Sequence, residues 1–426
     1  MNIKKTCGEL SRTVFYLRTD LGTEQLKAGG SVAHTIGVIQ GFAQIGYQVD
    51  LASSAMHDLL AQLPAQHVVP LVIPRWLYKV GFKFACLLSN VIFFLKTKSI
   101  VAQRSHAFIY QRYSLLNVVG VWLSRRYNIP LVLEYNGSEV WIDEHWCKER
   151  LVRLRFFVQW FENYNLTYAH TILVVSQALK DELVAQGVNA SKIVVHPNGV
   201  DATQFDPQKL EQERHHIRTS MGLQDAVVFG FIGTFSYWHG INILAAIIPT
   251  IIRRWPQAHF LLIGDGPLRS SLQQELRCEP LCKERVHFLG TVPQAQARNY
   301  LAACDAFLSP TQVNPDGTRF FGSPTKLFEY MSLGKPVIAS DIEQLAEVLS
   351  PAIKIEDLQK HSVQLGSHVG IVVKPDDVEG FVEALNFVMK LSHEQRTALG
   401  AQAREKIVAH YTWHHHVQTL VASLSE

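Results

Sequence analysis

Short runs of β-branched and aliphatic residues recur through the chain, each followed by a longer stretch with helical periodicity. In the first half these runs are Thr13–Leu17, Gln48–Ala52, Ala107–Gln111, Leu131–Tyr135, Thr171–Val175 and Lys192–His196. In the second half the same rhythm returns as "AVVFGFIGT", "HFLLIGDGP", "VHFLG", "AFLSP", "PVIAS" and "VGIVVKP". Apolar runs separated by helical segments build parallel sheets covered by helices on both faces, so the fold class is α/β. The connector "HPNGVDATQFDP" is rich in turn formers and lacks helical periodicity. It places a boundary near Asp206: a first domain over 1–205, a second over 206–408, and a last helix over 409–426 that returns to the first.

Each half reads as a Rossmann-type unit, and 426 residues suffice for two or three domains with large cores. Hydrophobic residues make up 47% and charged residues 18% of the chain, yet no uninterrupted run of 18 apolar residues is present to span a bilayer. The start, "MNIKKTCGELSR", has polar and acidic residues where a secretion signal needs its apolar segment, which predicts a cytoplasmic protein. Of the six cysteines (Cys7, Cys86, Cys147, Cys278, Cys282, Cys304), only Cys278 and Cys282 lie close, without a second pair for zinc; reduced thiols are expected. His414, His415 and His416 are neighbours that would point in different directions from a helix, so a surface turn is expected there and no metal site.

Charge is segregated. From Leu59 to Leu133 there is no Asp or Glu but nine Lys and Arg, so on a net charge of +3 the rest of the chain is net −6. A basic segment of this kind implies an anionic partner: a membrane surface, a phosphorylated lipid or a nucleic acid. Arg75, Lys79 and Lys83 recur every four residues, with Trp76, Val80, Phe84, Leu87, Leu88, Val91 and Leu95 nearby. On one helix they form a basic stripe beside apolar surface, too short and too charged to span but suited to a membrane interface.

The stretch "SPTKLFEYMSLGKPVIAS" reads as helix, glycine stop, strand. Ser323 is expected to cap the helix, Pro324 to occupy its first turn, and Gly334 to end it in a left-handed conformation. Lys326 and Glu329, three apart, then point to one side near the positive end of the helix dipole, where anions are favoured. Three glycine turns also qualify as anion sites: Gly29-Gly30-Ser31, Gly233-Thr234 and Gly322-Ser323. None is a Walker loop, and "GDGPLRSSL" lacks the spacing of a dinucleotide fingerprint.

The ordered set "VVSQALKDELVAQGVNASKIVVHPNGVDATQFDP", "GFIGTFSYWHGINILAAI", "HFLLIGDGPL", "VHFLGTVPQAQARNYLAACDAFLSP" and "SPTKLFEYMSLGKPVIAS" resembles family 4 retaining glycosyltransferases of the GT-B fold. The resemblance implies two Rossmann-like domains facing across a cleft, the first binding an acceptor and the second a nucleotide sugar. It implies that Glu329 accepts hydrogen bonds from ribose hydroxyls and that the Val292 backbone meets the base. Gly233 and Thr234 would lie beside the diphosphate, Gly29-Gly30-Ser31 would face the donor, and Asn136 in "LEYNGSE" would stand where many relatives have a histidine near the reacting sugar. Eight positions before Glu329, where the family signature has a first glutamate, this chain has Phe321. The arginine and lysine that often follow the first strand of the second domain are absent too, and "GTFSYWHG" offers only His239.

Lys326 is therefore expected to supply the missing charge, and Phe321, Gly322 and Ser323 to border the donor pocket. The implied reaction transfers a sugar from a nucleotide-activated donor to a hydroxyl of a glycan or lipid-linked acceptor, with retention and with neither metal nor other cofactor. Such enzymes assemble bacterial surface polysaccharides, which favours an anionic membrane at the inner face of the cell over nucleic acid as partner of the basic segment. Two rivals remain at this level: a nucleotide-sugar epimerase of the same fold, and an inactive nucleotide-sugar-binding protein.

Overall fold

The computed structural model describes residues 12–147, 155–359, 363 and 365–424; Cys7 and the first eleven residues lie outside them. The chain divides into two compact units. The first comprises residues up to Lys27, Thr35–Pro197 and His414–Glu426; the second comprises Ala28–His34 and Asn198–Trp413.

In the first unit, seven strands form one parallel sheet. They are β1 (Thr13–Arg18), β2 (Gln48–Ser53), β3 (His67–Pro70), β4 (Phe108–Arg112), β5 (Leu131–Tyr135), β6 (Thr171–Val174) and β7 (Ile193–Val195). Their order is β3-β2-β1-β4-β5-β6-β7, every pair parallel. The central strands β1 (TVFYLR) and β5 (LVLEY) are buried along their whole length, which is why they are mostly apolar rather than alternating, with Arg18 and Glu134 near their carboxyl ends. Strand order reverses between β1 and β4, where Arg18 and Arg112 are register partners at the carboxyl ends. In open parallel sheets this switch point is where loops part and ligands bind.

The second unit repeats the plan. Its strands are β8 (Val227–Ile232), β9 (Ala258–Ile263), β10 (Val286–Gly290), β11 (Ala306–Ser309), β12 (Val337–Ser340), β13 (Ala352–Lys354) and β14 (Gly370–Val373), in the parallel order β10-β9-β8-β11-β12-β14-β13. The switch point lies between β8 and β11. The helix Ile241–Arg254 covers one face with Ile243, Leu244, Ile247, Ile248, Ile251 and Ile252, all buried. Each such side chain contributes about 1.5–3 kcal/mol of hydrophobic stabilisation. Its start is fixed sterically: Gly240 has φ +70°, and a Cβ there would lie 1.8 Å from the Pro310 carbonyl oxygen.

The main segment of the second unit begins at Asn198, eight residues before the position read from the connector. Val200, Phe205 and Leu210 are buried in its apolar cluster, so a segment that looks like a linker is core. The last helix is Trp413–Ser423, and the His triplet lies on it rather than in a surface turn. His416 is fully buried, its Nδ1 2.9 Å from the Pro197 carbonyl oxygen, because the helix turns it inward while its neighbours stay half-exposed. Cys86, Cys278, Cys282 and Cys304 are free thiols.

The helix Glu211–Ser220 is fastened to the second sheet by Asp305. Its carboxylate accepts from Arg214 at 2.7 Å, from Arg218 at 3.0 Å and from the Val228 N–H of β8 at 2.9 Å. Burial alone would raise its pKa, but the two guanidiniums hold the carboxyl below the usual range. Removing one member of a buried network leaves the others desolvated and unpaired. Asp305→Ala is therefore expected to destabilise the second unit by about 3–5 kcal/mol, read as a lowered urea midpoint. A midpoint within error of wild type would show that the network contributes nothing.

Candidate functional site

At the switch point of the second sheet, β8 is followed by Gly233 and Thr234, and then by a tight turn over Tyr237–His239. His239 Nδ1 lies 2.7 Å from the Thr234 carbonyl oxygen, so that nitrogen carries the proton and Nε2 is left as an acceptor. Burial first, and the neighbouring Lys326 second, push the His239 pKa down to about 3. This ring is neutral at physiological pH and cannot replace a cationic side chain.

The helix Thr325–Ser332 brings up the cation. Tyr330 locks it to the sheet by stacking on Phe307 at 4.2 Å and accepting the Ile232 N–H at 2.7 Å. Gly334, at φ +63°, ends it as the sequence indicates. Lys326 and Glu329 are both buried, which excludes an ordinary exposed surface pair. Among the described residues the Lys326 ammonium finds no hydrogen-bond acceptor; it lies 4.5 Å from the centroid of the Phe231 ring and 3.5 Å from where a Cβ on Gly233 would sit. Burial drops its pKa to about 7. Glu329 is raised to about 7, again by burial, with Gln294 partly offsetting the rise.

Gln294 is a residue that the sequence reading passed over. Its Nε2 donates to Glu329 at 3.3 Å and its Oε1 accepts the Gly29 N–H at 3.3 Å. It stands two positions after Val292, whose side chain is half-buried against the second unit's core. The turn Gly29-Gly30-Ser31 belongs to the second unit, and a Cβ on Gly30 would meet Thr325 Oγ1 at 2.9 Å. The structure therefore brings together Gly29, Gly30, Gly233, His239, Lys326 and Glu329. The missed signal was the polar Gln294 just after a Pro, at the start of the helix Gln294–Ala302.

Ser323 does not cap its helix. Pro324 occupies the capping position, and Ser323 Oγ accepts the Asn198 N–H at 3.0 Å instead, while the Ser323 carbonyl accepts the Asn198 amide at 2.5 Å. No side chain caps this helix start, and the Leu327 N–H is taken by the Pro324 carbonyl oxygen at 3.0 Å. Phe320 and Phe321 are buried, Gly322 half-buried. Just upstream, Ser309, Thr311 and Gln312 are fully buried with side-chain polar atoms that have no partner among the described residues, and Asn314 has one such atom. This row touches the His239 turn, since the Gln312 N–H bonds the Trp238 carbonyl at 3.1 Å.

The first unit carries its own polar cluster at the switch point. Asn136, half-exposed just after β5, donates its amide to Glu134, which is fully buried and also accepts from Arg112 and from the Tyr110 hydroxyl at 2.8 Å. Arg18 pairs with Asp20 at 2.8 Å beside them. Glu139 and Glu162 follow; burial raises both to about 7, Glu139 further through the negative Glu162 and Asp20. Sequence reading found Asn136 but none of these acids, because single carboxylates on a strand, a loop and two helices share no spacing signal. Among the described residues, no group of three His, Cys, Asp or Glu side chains is arranged to hold a metal ion.

The basic stripe is not one helix. Trp76–Val80 is a single short helix; Gly81, at φ +146° and ψ 137°, breaks the chain; Lys83 belongs to the next helix, Phe82–Gln103. Arg75, Lys79 and Lys83 thus do not share a helical face. The second helix is long and apolar enough to cross a membrane by length and composition, contrary to the reading that nothing here would span. Its inner face is packed instead: Asn90 bonds the Leu116 carbonyl and the Val118 N–H, and Leu87 and Leu88 rest on the first unit's core. Trp76, Val80, Phe84, Val91 and Leu95 are exposed.

Comparison with known proteins accords with this geometry. The "Glycosyltransferase Family 4" model matches residues 28–204 and the "Glycosyl transferases group 1" model matches 226–390. A Streptococcus pneumoniae alpha-monoglucosyldiacylglycerol synthase is 22% identical over 55% of this chain and 52% of its own. A Corynebacterium glutamicum GDP-mannose-dependent monoacylated alpha-(1-6)-phosphatidylinositol monomannoside mannosyltransferase is 27% identical over 51% of this chain and 52% of its own. The chain spans 37–58% of the length of five such relatives. Among solved structures, Anabaena HepE in complex with UDP and glucose matches 97% of this chain and 99% of its own at TM-score 0.68 and 19% identity. A Rickettsia africae glycosyltransferase matches 97% and 98% at TM-score 0.70 and 13% identity. With a model on each half and the same two-sheet architecture, the chain belongs to the family 4 glycosyltransferases of the GT-B fold.

Proposed function

We propose that this glycosyltransferase moves a sugar from a nucleotide-sugar donor to a hydroxyl of a glycan or lipid-linked acceptor, with retention of anomeric configuration, in the assembly of bacterial surface polysaccharide or glycolipid. The observation that carries the donor class is Lys326: a buried ammonium without an acceptor, beside a glycine turn and an uncapped helix start, is an arrangement that favours an anion. Glu329, on the same face one turn along, suits the vicinal hydroxyls of a ribose. The relatives support the reading, since their names include a GDP-mannose-dependent transferase and a diacylglycerol glycolipid synthase, and HepE binds UDP and glucose.

In the reaction, the anomeric C–O bond breaks and its electron pair goes to the diphosphate. Negative charge grows there, and Lys326 stabilises it most in the transition state. A new C–O bond forms to the acceptor hydroxyl, whose proton passes to the departing phosphate oxygen. Neither step calls on a metal. Turnover of UDP-glucose, UDP-N-acetylglucosamine and GDP-mannose, with membrane extract as acceptor, tests the assignment; no release of nucleoside diphosphate from any activated sugar would remove it.

Lys326→Ala is expected to lower kcat by about 10²–10³ and to raise the donor KM less, because the charge acts mainly on the leaving group. A pure KM effect would make Lys326 a binding residue only.

Binding of a nucleoside diphosphate requires Lys326 to hold its proton and Glu329 to have lost its own. Both groups titrate at about 7. Affinity should therefore rise with pH as Glu329 ionises and fall above neutrality as Lys326 loses its proton, giving a maximum near pH 7 by calorimetry. Glu329→Gln should remove the acid limb and weaken binding by about 1.5–3 kcal/mol, and Lys326→Met should remove the alkaline limb. A flat profile in the wild type would detach both residues from the nucleotide.

The exposed Trp76, Val80, Phe84, Val91 and Leu95, set among Lys79, Lys83, Lys96 and Lys98, fit a surface that rests in an anionic membrane interface at the cytoplasmic face. Each basic residue near such a surface contributes about 1 kcal/mol. Replacing Arg75, Lys79 and Lys83 by Glu should abolish co-sedimentation with phosphatidylglycerol vesicles; equal partitioning of variant and wild type would refute peripheral binding through this surface.

A further inference from the structure

Glu134 is a fully buried carboxylate in the penultimate position of β5, opposite Arg112 at the end of β4. One oxygen, Oε1, accepts from the Arg112 guanidinium and from the amide of Asn136; the other accepts the Tyr110 hydroxyl at 2.8 Å. The arginine and the tyrosine thus engage its two oxygens separately. Its remaining task is directional. The Asn136 side chain is half-exposed and has a donor end and an acceptor end. Flipping the amide would set its carbonyl oxygen against the Glu134 carboxylate, a repulsive contact in a desolvated place. Glu134 therefore holds the NH₂ inward and leaves the Asn136 carbonyl oxygen facing outward at the carboxyl end of the sheet, beside its switch point.

We propose that Glu134 is a positioning residue: it fixes Asn136 in the one orientation that accepts a hydrogen bond from a hydroxyl of the sugar substrate. The proposal rests on the reading above that Asn136 faces the reacting sugar. Asn136 thus acts as an oriented, uncharged acceptor, and Glu134 acts on the sugar through Asn136.

Asn136→Asp gives a readout that a merely structural role would not move. Facing the Glu134 carboxylate, the introduced carboxyl retains a proton, donates it inward and still presents an oxygen outward; once that proton leaves, the two acids repel and the geometry is lost. With whichever of UDP-glucose, UDP-N-acetylglucosamine or GDP-mannose turns over fastest, the ratio of Asn136→Asp to wild-type kcat/KM, which cancels the alkaline limb that Lys326 gives both, should show a further limb that falls as pH rises. Adding Glu134→Gln removes the neighbouring charge and should shift that limb to lower pH by roughly one unit or more. Affinity for the nucleoside diphosphate should stay within about twofold of wild type in both variants, well under the tenfold that 1.4 kcal/mol represents, which also reports that they are folded. A limb that is absent, or that does not move when Glu134 is neutralised, overturns the positioning role. Wild-type kcat/KM in Asn136→Ala would instead show that Asn136 does not meet the sugar, and the two failures are distinct.

Discussion

A lysine ammonium removed from water with no counter-ion is the constraint around which the second unit is arranged. Isolated burial of a charge costs several kcal/mol, and a protein ordinarily avoids it by pairing or by releasing the proton. Here Phe231 offers only its ring face, His239 is neutral, and Glu329, though on the same helix, is not paired with Lys326. Part of the cost is met by a pKa that burial lowers to about 7, and the rest falls on the packing beneath: Tyr330 stacked on Phe307, the Ile-rich helix that starts at Gly240, and Asp305 clamping two arginines. A rigid scaffold of this kind keeps Lys326 from swinging out to solvent, so its charge is available to whatever anion reaches Gly233.

The first unit solves the same electrostatic problem in the opposite way. At its switch point the charges stand in opposite pairs: Arg18 with Asp20, Arg112 with Glu134. Glu139 and Glu162 are pushed up to about 7 by burial, just as Lys326 is brought down to about 7. A cluster that is already neutralised does not attract a phosphate. It offers hydrogen-bonding geometry, which is what neutral hydroxyl groups require.

Much of this was legible in the sequence because strands of a parallel sheet are buried on both faces and so stand out as apolar runs. All strand runs named in the sequence coincide with strands of the two sheets to within a few residues. The Lys326 helix and its Gly334 stop were equally plain. Sequence reading failed where one residue had two physically reasonable uses. Ser323 is a good capping residue, yet its hydroxyl is taken by the Asn198 backbone. Gly81 looks tolerable inside a helix, but its φ of +146° breaks the basic stripe. The stretch Asn198–Asp206 has linker composition, and its few apolar residues are the ones that bury. Gln294, Glu134, Glu139 and Glu162 became visible only when the fold gathered them, since contacts between distant residues leave no periodicity in one chain.

The contrast between the two switch points bears on specificity. An unpaired cation selects for anionic charge but discriminates poorly among the groups attached to it, because Coulomb attraction has little directional demand. An amide locked by a buried carboxylate discriminates by geometry, because a hydroxyl that is absent or misplaced leaves the Asn136 carbonyl without its partner. Under the proposed function, strength and selectivity would be separate: the second unit would supply an electrostatic hold on phosphates, and the first weaker, oriented bonds to sugar hydroxyls. Changes around Glu134 should therefore alter which sugar is used with little effect on nucleotide binding, whereas changes around Lys326 weaken every donor alike.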